Sequence, residues 1–464
     1  MRLRGVKRQK TQLELAFAPV GRGESSVCGT EGTETPRASQ VCQGPASTEL
    51  LMEAVCDPGN LKRALRRVCQ NQGSPGVDGM TVETLAVYLG DHWSEIRSQL
   101  LEGSYKPRRV KRVEIPKPGG GRRKLGIPTV LDRLVQQAIL QVLQKQWDPT
   151  FSEHSYGFRP RRDAHQAVSR AQEIVAEGHG WVVDIDLEQF FDRVNHDRLM
   201  ARVAERVTDK RLLKLIRAFL NAGILEDGLV TPTEEGTPQG SPLSPLLSNL
   251  VLDELDRELE RRDLPFVRYA DDCNIYVGSE RAGQRVMKSV SDFITRKLRL
   301  KVNAAKSAVA RPSSRKFLGF SLSEGPQPKR LIAKQSLKRF RHRVVELTGR
   351  NRGISLKQMI GELSEYLAGW INYFGFCERR TDLRDLDGWI RRRLRCVTWK
   401  QWQTGRNRYR ELRRRGVNSE HAKRTAGSSR GPWHLSRTKA LSQALPNRHL
   451  RYLGLLTLET WPNA

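Results

Sequence analysis

Two stretches rich in β-branched and aromatic residues, WVVDIDLEQFF at 181–191 and VRYADDCNIYV at 267–277, carry carboxylates where a strand is ordinarily apolar. That conflict is the strongest constraint on what the chain can fold into. The first stretch reads as a strand, the second as two strands joined by a tight turn at Asp271 and Asp272. Neighbouring carboxylates repel one another and lose hydration on burial unless a cation neutralises them, so the pair invites a metal ion. Alternation along the first strand puts Asp184 and Asp186 on one face. Three carboxylates on neighbouring strands can hold two Mg²⁺ ions about 3.5–4 Å apart, one activating a hydroxyl and one stabilising a phosphate leaving group. Taken singly, the acids at 184–192 read equally well as a solvated strand edge; their pairing with Asp271 favours the metal.

The surrounding pattern alternates strand and helix before turning helical. Residues 1–48, rich in Gly, Ser, Thr, Glu and Gln, read as a flexible tail without chemistry. A helical pattern runs from Glu49 to Gln72 and stops at the turn-rich GSPGVDG, 73–79. Residues 109–115 alternate like a strand, PKPGGG at 116–121 reads as a hairpin turn, and Leu131, Leu134, Val135, Ala138, Ile139, Val142 and Leu143 recur at helical spacing. Leu243, Leu246, Leu247, Leu250 and Val251 do the same and are assigned to the core. From about Pro326 helical signals dominate, most clearly at LKQMIGELSEYLAGWINYF, 356–374.

Lysine and arginine outnumber aspartate and glutamate by 81 to 51, a formal charge of +30, which points to a polyanionic partner such as nucleic acid. Residues 326–464 hold 31 basic residues against 10 acidic ones and six of the nine tryptophans, a mixture suited to phosphate contact and base stacking, or to a solvated basic helix face. Seven cysteines form no CxxC pair and no regular spacing, so neither a disulfide framework nor a zinc site is indicated, and a reducing compartment fits. No run of about 18 apolar residues is present, so a membrane span is not expected.

Eight blocks then follow in order: GSPGVDG at 73–79, RVEIPKPGGGRRKLGIPTVLDRLVQQA at 112–138, SYGFRP at 155–160, DIDLEQFFDRVNHDRLM at 184–200, GTPQGSPLSPLLSNLVLDELD at 236–256, RYADD at 268–272, NAAKS at 303–307 and KFLGF at 316–320. Together they resemble the bacterial group II intron-encoded reverse transcriptases and maturases over about 49–464. The resemblance implies an α+β right-hand polymerase. Its parts would be an N-terminal extension and fingers at 49–180, an antiparallel-sheet palm at 181–325, a helical thumb or maturase domain at 326–395 and a short basic C-terminal region at 396–464. It implies RNA-directed DNA synthesis with two Mg²⁺ ions, or Mn²⁺ in their place, together with assistance in intron splicing and mobility. The partners would be group II intron RNA, target DNA, an RNA/DNA primer-template and dNTPs, in a bacterial cytoplasm near the nucleoid and away from any membrane.

By the same resemblance Asp186, Asp271 and Asp272 are the catalytic metal ligands, with the Leu187 carbonyl as a further one, whereas Asp184 is not a ligand. Lys117 and Arg123 would clamp an incoming triphosphate, although an exposed basic hairpin explains them equally well from the sequence. Phe191 would pack under the sugar and exclude a 2′-hydroxyl; as a core aromatic beside Phe190 it reads just as well, since only one of the two rings can face the site. Gln239 would touch the nucleotide and the templating pair, Arg159 and Arg161 template phosphate, and KFLGF the primer end. AGWINYF at 368–374 and LDGWIRRRLRCVTWKQW at 386–402 resemble the thumb markers, with Arg391, Arg392, Arg393 and Arg395 as phosphate contacts and Trp389 and Trp399 alternatively as packing residues. His154, His165 and His196 are expected to be structural. Ser241 departs from a glycine frequent in relatives, and the paired cysteines and histidines of an endonuclease are absent, which suggests an endonuclease-lacking type. Two rival functions stay open: a polymerase domesticated for host repair or defence, and an RNA-binding splicing cofactor alone.

Overall fold

The computed structural model describes residues 49–116, 121–226, 229–231, 236 and 240–461, without the side chains of 123, 224, 226 and 229–231. The expected tail at 1–48 lies outside these residues. The helical pattern after Glu49 divides into α1 (Leu51–Val55) and α2 (Pro58–Asn71), because proline lacks an N–H and pushes the residue before it into extended backbone. Asp57 caps α2 by accepting the Asn60 N–H at 2.8 Å. α3 (Val82–Glu102) follows, then β1 (Val110–Pro116) and β2 (Arg122–Ile127), an antiparallel hairpin with Pro116 opposite Arg122. α4 (Val130–Trp147) buries Leu134, Val135, Ala138, Ile139 and Leu143 of the positions its spacing indicates, while Leu131 and Val142 are half-buried.

Next come α5 (Ala164–Ala176), β3 (Trp181–Ile185), the one-turn α6 (Phe190–Arg193), α7 (His196–Ala204) and α8 (Lys210–Leu220). The strand expected at 181–191 is thus cut short, since Gln189 adopts left-handed backbone at φ 52° and redirects the chain. β4 (Ile224–Glu226) and β5 (Leu229–Thr231) extend the first sheet, whose order is β2-β1-β4-β5. α9 (Ser244–Arg261) buries Leu246, Leu247 and Leu250, and leads into β6 (Phe266–Tyr269), β7 (Asp272–Val277) and α10 (Glu280–Phe293). With β8 (Ala308–Ala310) these form a second sheet in the order β6-β7-β3-β8.

β9 (Phe320–Leu322) and β10 (Arg330–Ile332) make a small hairpin. The rest is helical: α11 (Lys334–Leu347), α12 (Leu356–Phe374), α13 (Arg380–Gln401), α14 (Gly405–Arg414), α15 (Ser419–Ala426), α16 (Pro432–Leu435), α17 (Lys439–Ala444) and α18 (Asn447–Tyr452). α12 has the bounds its apolar spacing indicates. Trp399 and Trp402 are core residues, packed with Leu412, Val417, Leu435 and Leu441. The architecture is α+β. Chain contacts divide it into two units: the described residues of Met1–Asp163, Ile185–Ile275 and Arg285–Ala308, and those of Ala164–Asp184, Tyr276–Gln284 and Val309–Ala464. No helix among the described residues is long and apolar enough to cross a membrane.

Candidate active site

Asp186 directly follows β3, and Asp271 and Asp272 stand at the β6–β7 turn, with β7 next to β3 in the sheet. The turn is tight: Tyr269 faces Asp272, and Ala270 closes it at φ 56°. Left-handed backbone costs a non-glycine residue roughly 1–2 kcal/mol, so something must hold it. Arg268 does so from complete burial. Its guanidinium donates to Asp256 at 2.6 and 2.5 Å, to Asn249 Oδ1 at 3.0 Å and to the Ala270 carbonyl at 3.0 Å. Burial works against the charge on Arg268, but the Asp256 carboxylate more than offsets it and raises the pKa. The SYGFRP segment braces the same turn. Asn249 donates to the Gly157 carbonyl at 2.9 Å, Tyr156 N–H donates to the Arg268 carbonyl, and a Cβ on Gly157 would run into the backbone of Tyr269 and Ala270.

NAAKS wraps Asp186. The Asp186 N–H donates to Ser307 Oγ at 3.0 Å, its carbonyl accepts the Asn303 N–H at 2.8 Å, and Lys306 Nζ lies 3.7 Å from its carboxylate. Leu187 opposes Val302 in an isolated antiparallel bridge whose bonds run through Asp186 and Glu188, so its own carbonyl takes no part in them. Asp184, by contrast, is bound to Arg315 at 2.5 and 2.9 Å. The Asp186 side chain is 31% exposed, Asp271 is half-buried and Asp272 exposed. These hard carboxylate oxygens suit a hard divalent cation. Among the described residues no three His, Cys, Asp or Glu side chains are gathered tightly enough to hold an ion.

Phe190 and Phe191 diverge after Gln189: the first ring is buried and the second lines a cleft of about 1060 Å³. Arg63, Arg66 and Arg67 of α2 and Arg133 of α4 make that cleft basic, with Phe158, 46% exposed, at its edge. The α2 arginines were missed from the sequence, although LKRALRR carries them at helical spacing on an otherwise apolar pattern. Ser241 borders the same cleft and donates to Gln136 Oε1 at 2.5 Å, a bond a glycine lacks. His196 is structural: its ring nitrogens contact the Gly236 carbonyl at 2.6 Å and Asn221 at 3.1 Å.

Lys117, Gln239 and the Arg123 side chain lie outside the described residues. Arg159 differs from its expectation. It is buried, with Nε on Asp148 at 2.8 Å and its other nitrogens on the carbonyls of Asp148, Ser152 and Ser155, which leaves little for a template phosphate. Arg161 is exposed, at φ 60°. Three of the α13 arginines also face inward. Arg392 bonds the Trp433 carbonyl and Ser436, Arg393 bonds Thr348 at 2.7 Å, and Arg395 bonds the Leu445 carbonyl and Asn447. Partial burial lowers the pKa of all three.

An α+β chain with a carboxylate-bearing sheet turn and a basic cleft has the outline of a template-directed polymerase. Residues 115–322 match the family model for reverse transcriptase (RNA-dependent DNA polymerase), and residues 337–416 that for the group II intron, maturase-specific domain. Over these two segments the chain carries a reverse transcriptase domain followed by a group II intron maturase domain. Reverse transcriptases work with divalent metal ions. Among similar proteins, Protein YkfC of Escherichia coli (strain K12) is 39% identical over 220 residues, 46% of this chain and 58% of that protein. Group II intron-encoded protein LtrA of Lactococcus lactis subsp. cremoris is 34% identical over 206 residues, 44% of this chain and 34% of LtrA. The matched part thus spans less than two thirds of either relative. A chain of a partial Cas6-RT-Cas1-Cas2 complex overlays 53% of this chain and 43% of its own length with 25% identity and a TM-score of 0.35.

Proposed function

We propose that this protein copies RNA into DNA by transferring nucleotides from dNTPs to a primer 3′-hydroxyl, and that it assists the splicing and mobility of a group II intron. The observation that carries this reading is the placement of Asp186, Asp271 and Asp272 at β3 and the β6–β7 turn of one sheet. These carboxylates, with the Leu187 carbonyl, would hold two Mg²⁺ ions, which supply a lowered hydroxyl pKa and charge neutralisation at the phosphates. Arg268 keeps the turn in register, so Asp271 and Asp272 need no reorganisation of the backbone. Phe191 occupies the cleft wall where a ring crowds a 2′-hydroxyl and leaves a deoxyribose room. Arg63, Arg66, Arg67 and Arg133 attract the template strand, while Lys117, Arg123 and Gln239 are assigned to the incoming nucleotide. The thumb and maturase region, from 326 onward, would engage intron RNA and the primer-template, and target DNA would supply the strand to be extended.

Primer extension by the purified chain on an RNA template with Mg²⁺ and dNTPs tests the proposal. Asp186→Ala and Asp271→Asn should each abolish extension while RNA affinity is kept, because they remove metal ligands and no phosphate contact. Continued extension by either variant refutes the assignment.

A further inference from the structure

The second unit holds a pocket that the proposed polymerase reaction does not use. It encloses about 660 Å³, large enough for a drug-sized ligand. Trp389 and Trp433 give it an aromatic wall, and Arg350, Arg352, Arg393 and Lys400 surround that wall; no acid is among the described residues lining it. Two of these cations are themselves tied to the protein. Arg393 donates to Thr348 Oγ1 at 2.7 Å, and Arg352 donates to the Leu347 carbonyl at 2.7 Å and to Glu362 at 2.6 Å. Arg350 and Lys400 stay exposed, Lys400 bonding Asn351 at 3.1 Å.

Trp433 is the unusual element. It is 39% exposed, one of the few large apolar side chains open to solvent among the described residues, and Val345 of the same pocket, 42% exposed, is another. The indole is nevertheless immobilised. The Arg392 guanidinium lies 3.7 Å from the ring centroid and also donates to the Trp433 carbonyl at 2.9 Å. An exposed ring backed by Arg392, with the exposed Arg350 and Lys400 in the same pocket, matches a ligand with a flat π-face and a negative charge. An inorganic anion would leave the tryptophans unused, and an acidic peptide joins a flat face to a charge only where an aromatic residue adjoins the acid, whereas every nucleotide carries both. We infer that the pocket takes one unpaired nucleotide of a bound RNA, its base stacked on Trp433 and its phosphate held by Arg350 and Lys400.

The inference rests on the RNA-binding part of the proposed function, and its test is separable from the polymerase assay. Full-length protein is titrated with a labelled single-stranded oligouridine and with a blunt RNA duplex across a salt series. Trp433→Ala should weaken oligouridine binding by about tenfold and leave duplex binding unchanged, with Trp433→Phe restoring most of the loss. The Arg350→Gln/Lys400→Gln pair should reduce the oligouridine salt slope by about one, since a single strand loses roughly 0.7 for each phosphate contact. A 4-thiouridine in the oligomer should cross-link to the peptide carrying Trp433. Equal losses on both RNAs, an unchanged oligouridine affinity, or a cross-link confined to other segments would overturn the pocket. Should Trp433→Ala misfold, the phenylalanine variant and the rim pair carry the test. Absent extension by wild type refutes the polymerase and leaves this inference standing; intact extension with no pocket effect refutes the pocket alone.

Discussion

Arg268 spends its whole guanidinium on Asp256, Asn249 and Ala270 while being fully buried, and Asp256 is equally buried. Arg268→Met would strand that carboxylate without a partner, at a cost of roughly 3–5 kcal/mol in chemical denaturation. Replacing both residues by apolar ones should recover much of the loss, since a buried pair contributes little beyond the penalty of breaking it. Additive losses in that double variant would show that the two side chains do not act as a pair. Phe191 carries the second residue-scale expectation. Its half-buried ring lines the cleft while Phe190 is buried, so Phe191→Val should raise ribonucleotide incorporation relative to dNTPs, read from parallel primer extensions. An unchanged preference would move the sugar gate elsewhere.

α9 shows how one element serves both core and site. Its apolar face packs inward, while Asn249, Asp253 and Asp256 point polar groups into buried surroundings and there find Gly157, Arg206 and Arg268. Toward its end Glu258 accepts from Arg261 and from Arg262, and these bonds pull its pKa from 4.5 down to about 2. A carboxylate depressed in the folded state stabilises it fully above about pH 4.5, and that contribution disappears as the pH falls through about 2. Glu258→Gln should therefore lower the melting temperature at neutral pH, and the gap to wild type should close as the pH is lowered across that window. A gap independent of pH would assign the effect to packing.

Over the whole molecule, charge is distributed by task. The last third carries +21 of the net +30, yet Arg392, Arg393 and Arg395 use theirs to tie α13 to α16, the loop after α11 and the segment at Leu445–Asn447. Arg393→Gln should consequently lower the melting temperature, whereas Arg391→Gln should leave it unchanged and reduce the salt slope of RNA binding by about one. The reverse result would mean that the inward geometry does not govern what these arginines do. RNA affinity should fall steeply with salt in either case, as expected for a chain so rich in cations.

What the amino-acid order determined by itself is local. Apolar spacing delimits α12 and the core of α4, and the carboxylates of 184–186 and 271–272 interrupt strand patterns that need no distant partner to be recognised. The eight ordered blocks carry the family resemblance for the same reason, being contiguous stretches. Tertiary structure decided the rest, because each outcome depends on groups far apart in the chain. Asp186 meets Ser307 across 121 positions and Ser241 meets Gln136 across 105. No pattern within a dozen residues could say that Phe190 rather than Phe191 turns to the core, that Arg159 and three α13 arginines face inward, or that Gly157 must lack a side chain to let the Ala270 turn pass. A buried polar group is settled only by the partner that folding brings to it.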